Sequence, residues 1–182
     1  NYTYGGQFFG DANITAKMEG WYTTGTEIVF ACGGGIYTSA VEAALKSKAY
    51  VVGVDVDQHY IGEKAVAENG YNPFVTSAMK GLYPTTYDTL TDVIVNGNWE
   101  KYVGKIETLG LVSGTDPEAN YVQIPMGDGT QWSDSFTQDD YKAMVKDMFD
   151  GKITVSNNTS SDVSAADFAT VITVDDQGSI KG

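Results

Sequence analysis

Arginine is absent from this 182-residue sequence, and all 11 basic residues are lysines. Set against 24 acidic residues, they leave a net charge of −13. This balance opposes nucleic-acid binding, because such surfaces need lysine and arginine to neutralise phosphates. It also disfavours ligands rich in phosphate or carboxylate, since the bidentate arginine fork is missing. The composition therefore favours an uncharged polar ligand and predicts no nucleic-acid partner.

Cysteine and histidine are nearly absent, with Cys32 and His59 as the single example of each. One cysteine excludes an internal disulfide and a cysteine-rich metal site. Cys32 lies in the apolar run IVFACGGG, which predicts a buried small hydrophobic residue rather than a nucleophile. No serine or cysteine elbow accompanies His59, so a nucleophilic triad is not expected. We therefore expect no catalytic residue, no metal and no cofactor, and predict that the protein is not an enzyme.

Long hydrophobic runs are also missing, and no stretch approaches the roughly 20 apolar residues that span a bilayer. The sequence has neither an initiating methionine nor the basic and apolar regions of a secretory leader. We interpret it as a processed or excised piece of a longer polypeptide, with any targeting signal upstream.

Short apolar runs alternate with helical patterns through the first half of the sequence. Three runs are typical of parallel strands buried on both faces: EIVFAC (27–32), YVVGV (50–54) and PFVTSAM (73–79). The opening stretch, NYTYGGQFF, supplies a further strand. Helical patterns lie between the runs, at ITAKMEGWYTTG, SAVEAALKSK and IGEKAVAENG. This alternation predicts an α/β fold, with a parallel sheet between two layers of helices.

Helix boundaries are marked by capping signals. Ser39 precedes Glu42, and Thr137 precedes Asp140, at the spacing of a capping box. A further helix is predicted over 84–96, and its neighbours KIETLGLV and NYVQIP are predicted strands. The tail predicts two short strands around a loop rich in serine, asparagine and aspartate.

Polar and aromatic residues follow each predicted strand, where an open parallel sheet binds its ligands. In chain order these are FFGD (8–11), the triple glycine 33–35, Asp55 with Asp57, and Ser77 with Lys80. They combine aromatic faces, bare backbone amides, carboxylates and one amine. That set suits a flat ring that carries hydroxyl groups.

Each candidate has a chemical role and a plainer structural one. Gly33 and Gly34 would let backbone approach a ligand closely, or would form a tight turn that needs positive φ. Asp55 would accept hydrogen bonds from vicinal hydroxyls and Lys80 would donate to them, or the strand end is simply solvated. Phe8 and Phe9 are adjacent, so we expect one to face the core and the other the crevice.

The same residues also fit a different reaction class. An apolar strand that ends in Asp-x-Asp, followed by a later serine and lysine, is the order of a magnesium-dependent phosphohydrolase of haloacid-dehalogenase type. Asp55 would then be the nucleophile, with Mg²⁺ bridging carboxylate and phosphate near Ser77 and Lys80. Gln58-His59 departs from that pattern, and no acidic pair follows downstream. This enzyme remains the alternative hypothesis.

Four stretches resemble, in order and spacing, the basic-membrane-protein family: GTEIVFACGGGIYTSAVEAA, VVGVDVDQ, VTSAMKGL and TQWSDSF. Members are purine-nucleoside-binding lipoproteins that serve bacterial ABC importers. The resemblance implies a type I periplasmic-binding-protein fold, in which two lobes clamp the nucleoside. Residues 1–182 would form the C-terminal lobe, incomplete and without the N-terminal lobe. Residues 82–104 would be a helical excursion that packs on the missing lobe or against a second copy of the chain.

The resemblance also assigns roles at the site. Phe8 or Phe9 would stack on the base, and Gly33 and Gly34 would line the pocket with backbone. Asp55 and Lys80 would hydrogen-bond the ribose hydroxyls. The expected partners are a purine nucleoside and the ABC-transporter permease, and an upstream lipid anchor would hold the protein at the outer face of the cell membrane. A pentose or an autoinducer-like sugar is the alternative ligand.

Overall fold

The computed structural model of the chain describes residues 1–156 and 172–180. This part of the chain is mixed α/β, with a mostly parallel sheet flanked by helices. Its strands and α-helices, in order, are β1 Tyr2–Tyr4, α1 Ala12–Thr23, β2 Ile28–Phe30, α2 Tyr37–Ser47, β3 Tyr50–Asp55, α3 His59–Asn69, β4 Phe74–Lys80, α4 Leu82–Leu90, β5 Val122–Gln123, α5 Gln138–Phe149 and β6 Asp176–Ser179.

The main sheet has four strands in the order β2-β3-β4-β5. β2 and β3 run parallel, with Ile28 beside Tyr50 and Phe30 beside Val52. β5 is antiparallel to β4 and closes one edge. The strands predicted at 27–32, 50–54 and 73–79 are therefore confirmed.

The opening strand does not join this sheet. β1 instead pairs with β6 in a separate two-stranded parallel sheet, with Tyr2 beside Asp176. The link between the opening stretch and the region after β2 is a single parallel bridge from Phe9 to Gly35. The prediction that NYTYGGQFF forms a strand is confirmed, but its placement in the main sheet is wrong.

The chain divides into two compact units. Unit 1 comprises residues 1–52, 62–73 and the described part of 155–182, and unit 2 comprises residues 53–61 and 74–154. The boundary falls within β3, whose first three residues belong to unit 1 and whose last three belong to unit 2.

The core of unit 1 forms where α1 packs on α2. Ile14, Met18 and Tyr22 are buried on α1, at the four-residue spacing of one helical face. Small residues face them on α2 and allow close approach: Ala40, Ala43 and Ala44, each fully buried. Trp21 lies next to this face, and its indole N–H donates to the Gln177 side chain at 2.8 Å.

Two residues of unit 1 contradict the prediction that the strands are buried on both faces. Ile28 and Phe30 of β2 are 47% and 53% exposed, while Val29 between them is buried. β2 lies at the edge of the sheet, and its burial therefore alternates as on a half-covered strand. Cys32, predicted as a buried hydrophobic residue, is also exposed because it lies beyond the end of β2.

The core of unit 2 lies between β4 and α5. Phe74 is fully buried, and Tyr141 and Val145 of α5 are 5% and 3% exposed. The predicted capping box at Thr137 and Asp140 is confirmed at the start of α5. The corresponding prediction for Ser39 and Glu42 is wrong.

The reason for that error is the turn before α2. Ile36 donates to the Gly33 carbonyl at 2.9 Å, and the helix begins at Tyr37, so Ser39 is already inside it. The Ser39 hydroxyl donates to the Asp11 carbonyl at 3.1 Å instead of capping its own helix.

KIETLGLV is not a strand. At the end of this segment the buried Asn120 side chain binds the backbone, because its Oδ1 accepts from the N–H groups of Val112 and of the next residue, Ser113, at 2.7 and 2.8 Å. Residues 152–156, at the start of the tail, are also irregular. Among the described residues of the tail, the strand is β6. The Ser/Asn/Asp-rich loop between them falls on 157–171, outside the described residues.

The helix predicted over 84–96 is α4 followed by a π-helical turn, Thr91–Val95. It ends at Gly97, which has φ +70°. α4 has no buried residue, and the exposed apolar side chains include Tyr83 at 77% and Ile94 at 71%. The Tyr83 and Tyr87 rings stack with centroids 5.8 Å apart.

Candidate functional site

The ends of β3 and β4 bring together two of the predicted ligand-binding residues. Lys80 Nζ lies 2.5 Å from Asp55 Oδ1, within unit 2. Both side chains remain accessible, with 66% of Lys80 and 38% of Asp55 exposed. The pair offers a carboxylate that only accepts hydrogen bonds beside an ammonium that only donates them.

The backbone at Asp55 is unusual. Asp55 has φ +69°, in the left-handed region, although it is the last residue of a strand. Val56 donates to the Val54 carbonyl at 2.8 Å, across Asp55. This bond and the positive φ define a γ-turn of the rare, strained form. A non-glycine residue in such a conformation costs about 1–3 kcal/mol, so the surrounding structure must enforce it.

A buried glutamine holds the residues on either side of this turn. Gln58 is 5% exposed, and its Oε1 accepts from the Val54 N–H at 3.1 Å. Its own N–H donates to the hydroxyl of Ser77, which is fully buried in β4, at 3.0 Å. Ser77, predicted as a strand-end candidate, therefore lies within the strand and supports the turn. Gln58 was not among the residues predicted for the site. Its position directly after Asp-x-Asp is the one sign of such a role in the sequence.

Asp57 has a local partner. Its Oδ1 accepts from the His59 N–H at 3.0 Å, at the first residue of α3. Gly129 packs against the same carboxylate, since a Cβ at that position would lie within van der Waals overlap of Asp57. These contacts give Asp57 a role in the turn into α3. Among the described residues, no group of three or more histidine, cysteine, aspartate or glutamate side chains is placed to hold a metal ion.

The other predicted site residues form a second cluster, within unit 1. The Gly35 N–H donates to the Phe8 carbonyl at 2.6 Å. Gly34 has φ +47°, and a Cβ there would lie 3.0 Å from the same carbonyl, so glycine is required by both conformation and space. Gly33 is half-buried, and a Cβ there would contact Ile36 at 3.2 Å.

Both phenylalanines of this cluster are exposed, Phe8 at 79% and Phe9 at 62%. The prediction that one of them faces the core is wrong. The reason is the parallel bridge between Phe9 and Gly35, which fixes the backbone here while both rings remain exposed to solvent. Exposed aromatic side chains of this kind can stack on a flat ring.

A cavity of about 390 Å³ also lies in unit 1, between α1 and α2. Gly10 and Asp11 of the FFGD stretch line it, whereas the residues assigned to ligand contacts do not. Its charged side chains pair with one another: Lys46 lies 2.6 Å from Glu19 and 3.1 Å from Glu42. The Glu42 carboxylate also accepts from the Thr15 hydroxyl, and these bonds lower the pKa of Glu42, Lys46 contributing most. The cavity is thus lined by the polar contacts that join the two helices.

No helix of the described chain is both long and apolar enough to cross a bilayer. No family model matches the chain, and comparisons with curated proteins and with solved structures gave no match.

Proposed function

We propose that the chain is the C-terminal lobe of an extracytoplasmic substrate-binding protein of an ABC importer, and that its ligand is a purine nucleoside. The observation that carries this proposal is the accessible Asp55–Lys80 pair at the ends of β3 and β4. Vicinal hydroxyls of a ribose can donate to the carboxylate and accept from the ammonium at once. No chemistry on the ligand is part of the proposal.

The exposed rings of Phe8 and Phe9 support an aromatic ligand rather than a simple sugar. Stacking on a purine would use their large apolar faces without any charged contact. The lack of arginine supports the same ligand class, because a nucleoside, unlike a nucleotide, carries no phosphate. Anchoring to the cell membrane through an upstream lipid, and delivery to a permease, belong to the same proposal.

The exposed apolar residues of 82–104 add a partner to the proposal. Tyr83, Tyr87 and Ile94 are more than half exposed, a surface that a soluble chain normally covers. An N-terminal lobe of the full-length polypeptide is the proposed cover, and a second copy of the chain is the substitute when that lobe is missing. Analytical ultracentrifugation of residues 1–182 tests the substitute, and a clean monomer at micromolar concentration would contradict it.

Isothermal titration of the natural full-length polypeptide with guanosine, inosine and adenosine tests the ligand. Asp55→Asn and Lys80→Met are each expected to weaken nucleoside binding by roughly 10-fold to 100-fold, as expected for hydrogen bonds to charged groups. Lys146→Met is the matched control, since it breaks an ion pair of similar exposure with Asp150 at 2.7 Å. Heat from pentoses or amino acids, with none from nucleosides, would refute the nucleoside assignment.

A further inference from the structure

We propose that Gln58 is a positioning residue, which sets the Asp55 carboxylate against Lys80 by enforcing the γ-turn at Asp55. Gln58 itself stays 5% exposed beneath the turn. The proposal rests on the proposed function only where it assigns that carboxylate to a ligand. The link from Gln58 to Asp55 and Lys80 concerns the ligand-free protein and is tested separately.

The hydrogen bonds of the turn form one connected set. The Val54 N–H donates to Gln58 Oε1 at 3.1 Å, and the Val54 carbonyl accepts from the Val56 N–H at 2.8 Å. Both backbone groups of the residue before Asp55 are thereby fixed. Gln58 itself is held because its backbone N–H donates to the Ser77 hydroxyl oxygen at 3.0 Å.

The space around the Gln58 amide is shaped to admit it. Gly53 has no side chain, and a Cβ at position 53 would lie 2.9 Å from Gln58 Oε1 and 2.5 Å from Ser77 Oγ. Any larger residue would displace the amide from the Val54 N–H. Gly53, Ser77 and Gln58 thus together stabilise the γ-turn at the end of β3.

The strained conformation of Asp55 determines what happens at the site when the Gln58 side chain is changed. A left-handed aspartate relaxes to an extended conformation unless neighbouring bonds prevent it. With the Gln58 acceptor removed, the Val54 N–H loses its partner and the γ-turn loses its support. The Asp55 carboxylate then moves away from Lys80, and the donor–acceptor pair that a diol requires is lost.

Gln58→Met tests this inference, because methionine keeps the length and volume of the side chain but removes the amide. Gln131→Met is the matched control, since it removes a side-chain bond to the Phe74 carbonyl, 2.8 Å long, in the same unit. In the ligand-free protein, NMR detects the Asp55–Lys80 pair as a scalar coupling between Lys80 ¹⁵Nζ and Asp55 ¹³Cγ. We expect the coupling to vanish in Gln58→Met and to persist in Gln131→Met. Persistence in folded Gln58→Met overturns the proposal.

A double-mutant cycle on guanosine affinity separates positioning from general support of the fold. In the wild-type background, Asp55→Asn is expected to weaken binding at least 10-fold. In the Gln58→Met background the same change is expected to cost less than 2-fold, because the carboxylate is already displaced. An equal cost in both backgrounds overturns the proposal.

Two further measurements distinguish a failure of the proposed function, or of folding, from a failure of the inference about Gln58. If no nucleoside binds the wild-type protein, the proposed function fails, while the coupling across the Asp55–Lys80 pair still decides the role of Gln58. If Gln58→Met does not fold by circular dichroism, Ser77→Ala replaces it, since it removes the anchor of the Gln58 N–H with a smaller change in volume. The coupling is then expected to weaken, and an unchanged coupling overturns the proposal.

Discussion

Gly53 of β3 lies so close to Ser77 of β4 that an alanine Cβ at position 53 would sit 2.5 Å from the Ser77 hydroxyl oxygen. Both residues are buried, so neither can yield by turning toward solvent. The contact explains why the apolar strand YVVGVD carries a glycine in its interior.

Gly53→Ala is therefore expected to lower the free energy of unfolding by about 1–3 kcal/mol, the usual cost of overpacking a core. Urea denaturation followed by tryptophan fluorescence measures the change. Gly20→Ala on α1 is the control, because nothing lies within 4 Å of a Cβ there. That variant is expected to gain about 0.5–1 kcal/mol from helix propensity. Equal stability of Gly53→Ala and wild type would contradict the close contact.

The Tyr22 hydroxyl is expected to make the stability of the fold depend on pH in the alkaline range. It donates to the Tyr50 carbonyl at 2.7 Å, and burial raises the pKa of Tyr22 well above its usual value of 10.0. The folded state therefore keeps this proton longer than the unfolded state does, and the contribution to stability is lost as pH rises beyond 10. Tyr22→Phe is expected to cost about 0.5–1.5 kcal/mol at neutral pH and to flatten the alkaline decline.

Urea unfolding at a series of pH values from 8 to 11 (roughly, to bracket the phenol titration) checks this expectation. Tyr83→Phe is the control, because its ring is 77% exposed and the change should stay within about 0.5 kcal/mol. Identical alkaline slopes for wild type and Tyr22→Phe would rule out a protonated, buried Tyr22.

Asp92 organises the segment after α4. Its carboxylate accepts from Lys101 Nζ at 2.8 Å, Asn98 Nδ2 at 2.7 Å and the Tyr102 hydroxyl at 2.7 Å. These bonds, with Lys101 contributing most, hold the pKa of Asp92 well below its usual 3.8. A carboxyl with a depressed pKa stabilises the fold above pH 3.8, and this contribution is lost as pH falls further.

Asp92→Asn is expected to speed amide hydrogen exchange across 98–103 at neutral pH, and to remove the loss of protection that we expect for wild type as pH falls below 3.8. Asp139→Asn is the control, since Asp139 is 93% exposed and lies 3.7 Å from Lys142. Wild-type exchange rates in Asp92→Asn would show that the carboxylate does not hold this segment.

Thr137 caps α5 reciprocally with Asp140. The Asp140 N–H donates to the Thr137 hydroxyl at 3.2 Å, and the Thr137 N–H donates back to the Asp140 carboxylate at 2.8 Å. Thr137→Ala is expected to lower the free energy of unfolding by about 1 kcal/mol. Thr23→Ala, at the opposite end of a different helix, should change it by no more than about 0.5 kcal/mol. Equal effects in urea denaturation would argue against a capping role for Thr137.

Local signals in the sequence predicted most of the regular elements, because each depends on neighbouring residues. The apolar runs gave β2, β3 and β4, and Thr137 with Asp140 marked the start of α5 correctly. The same kind of signal failed at Ser39, where the glycine turn before it starts the helix earlier. KIETLGLV has the pattern of a strand, but the N–H of its last residue, Val112, donates to the Asn120 side chain instead.

At the candidate site, sequence position predicted the meeting of Asp55 and Lys80, because adjacent strands end on the same side of a sheet. It did not predict the left-handed conformation of Asp55, which depends on the Gln58 side chain and on space left by Gly53. It also misjudged Cys32, Phe8 and Phe9, since exposure depends on which tertiary neighbours are present. These features depend on the folded arrangement of side chains and strand ends, which the pattern of residue types does not specify.

The pairing of β1 with β6 has a consequence for biosynthesis. Tyr2 pairs with Asp176, so every other described element of the chain is translated between β1 and its partner strand Asp176–Ser179. β1 therefore cannot form its parallel pair until the elements between it and β6 have been synthesised. A premature stop codon ahead of residue 176 would release a polypeptide whose first strand has no β6 to pair with.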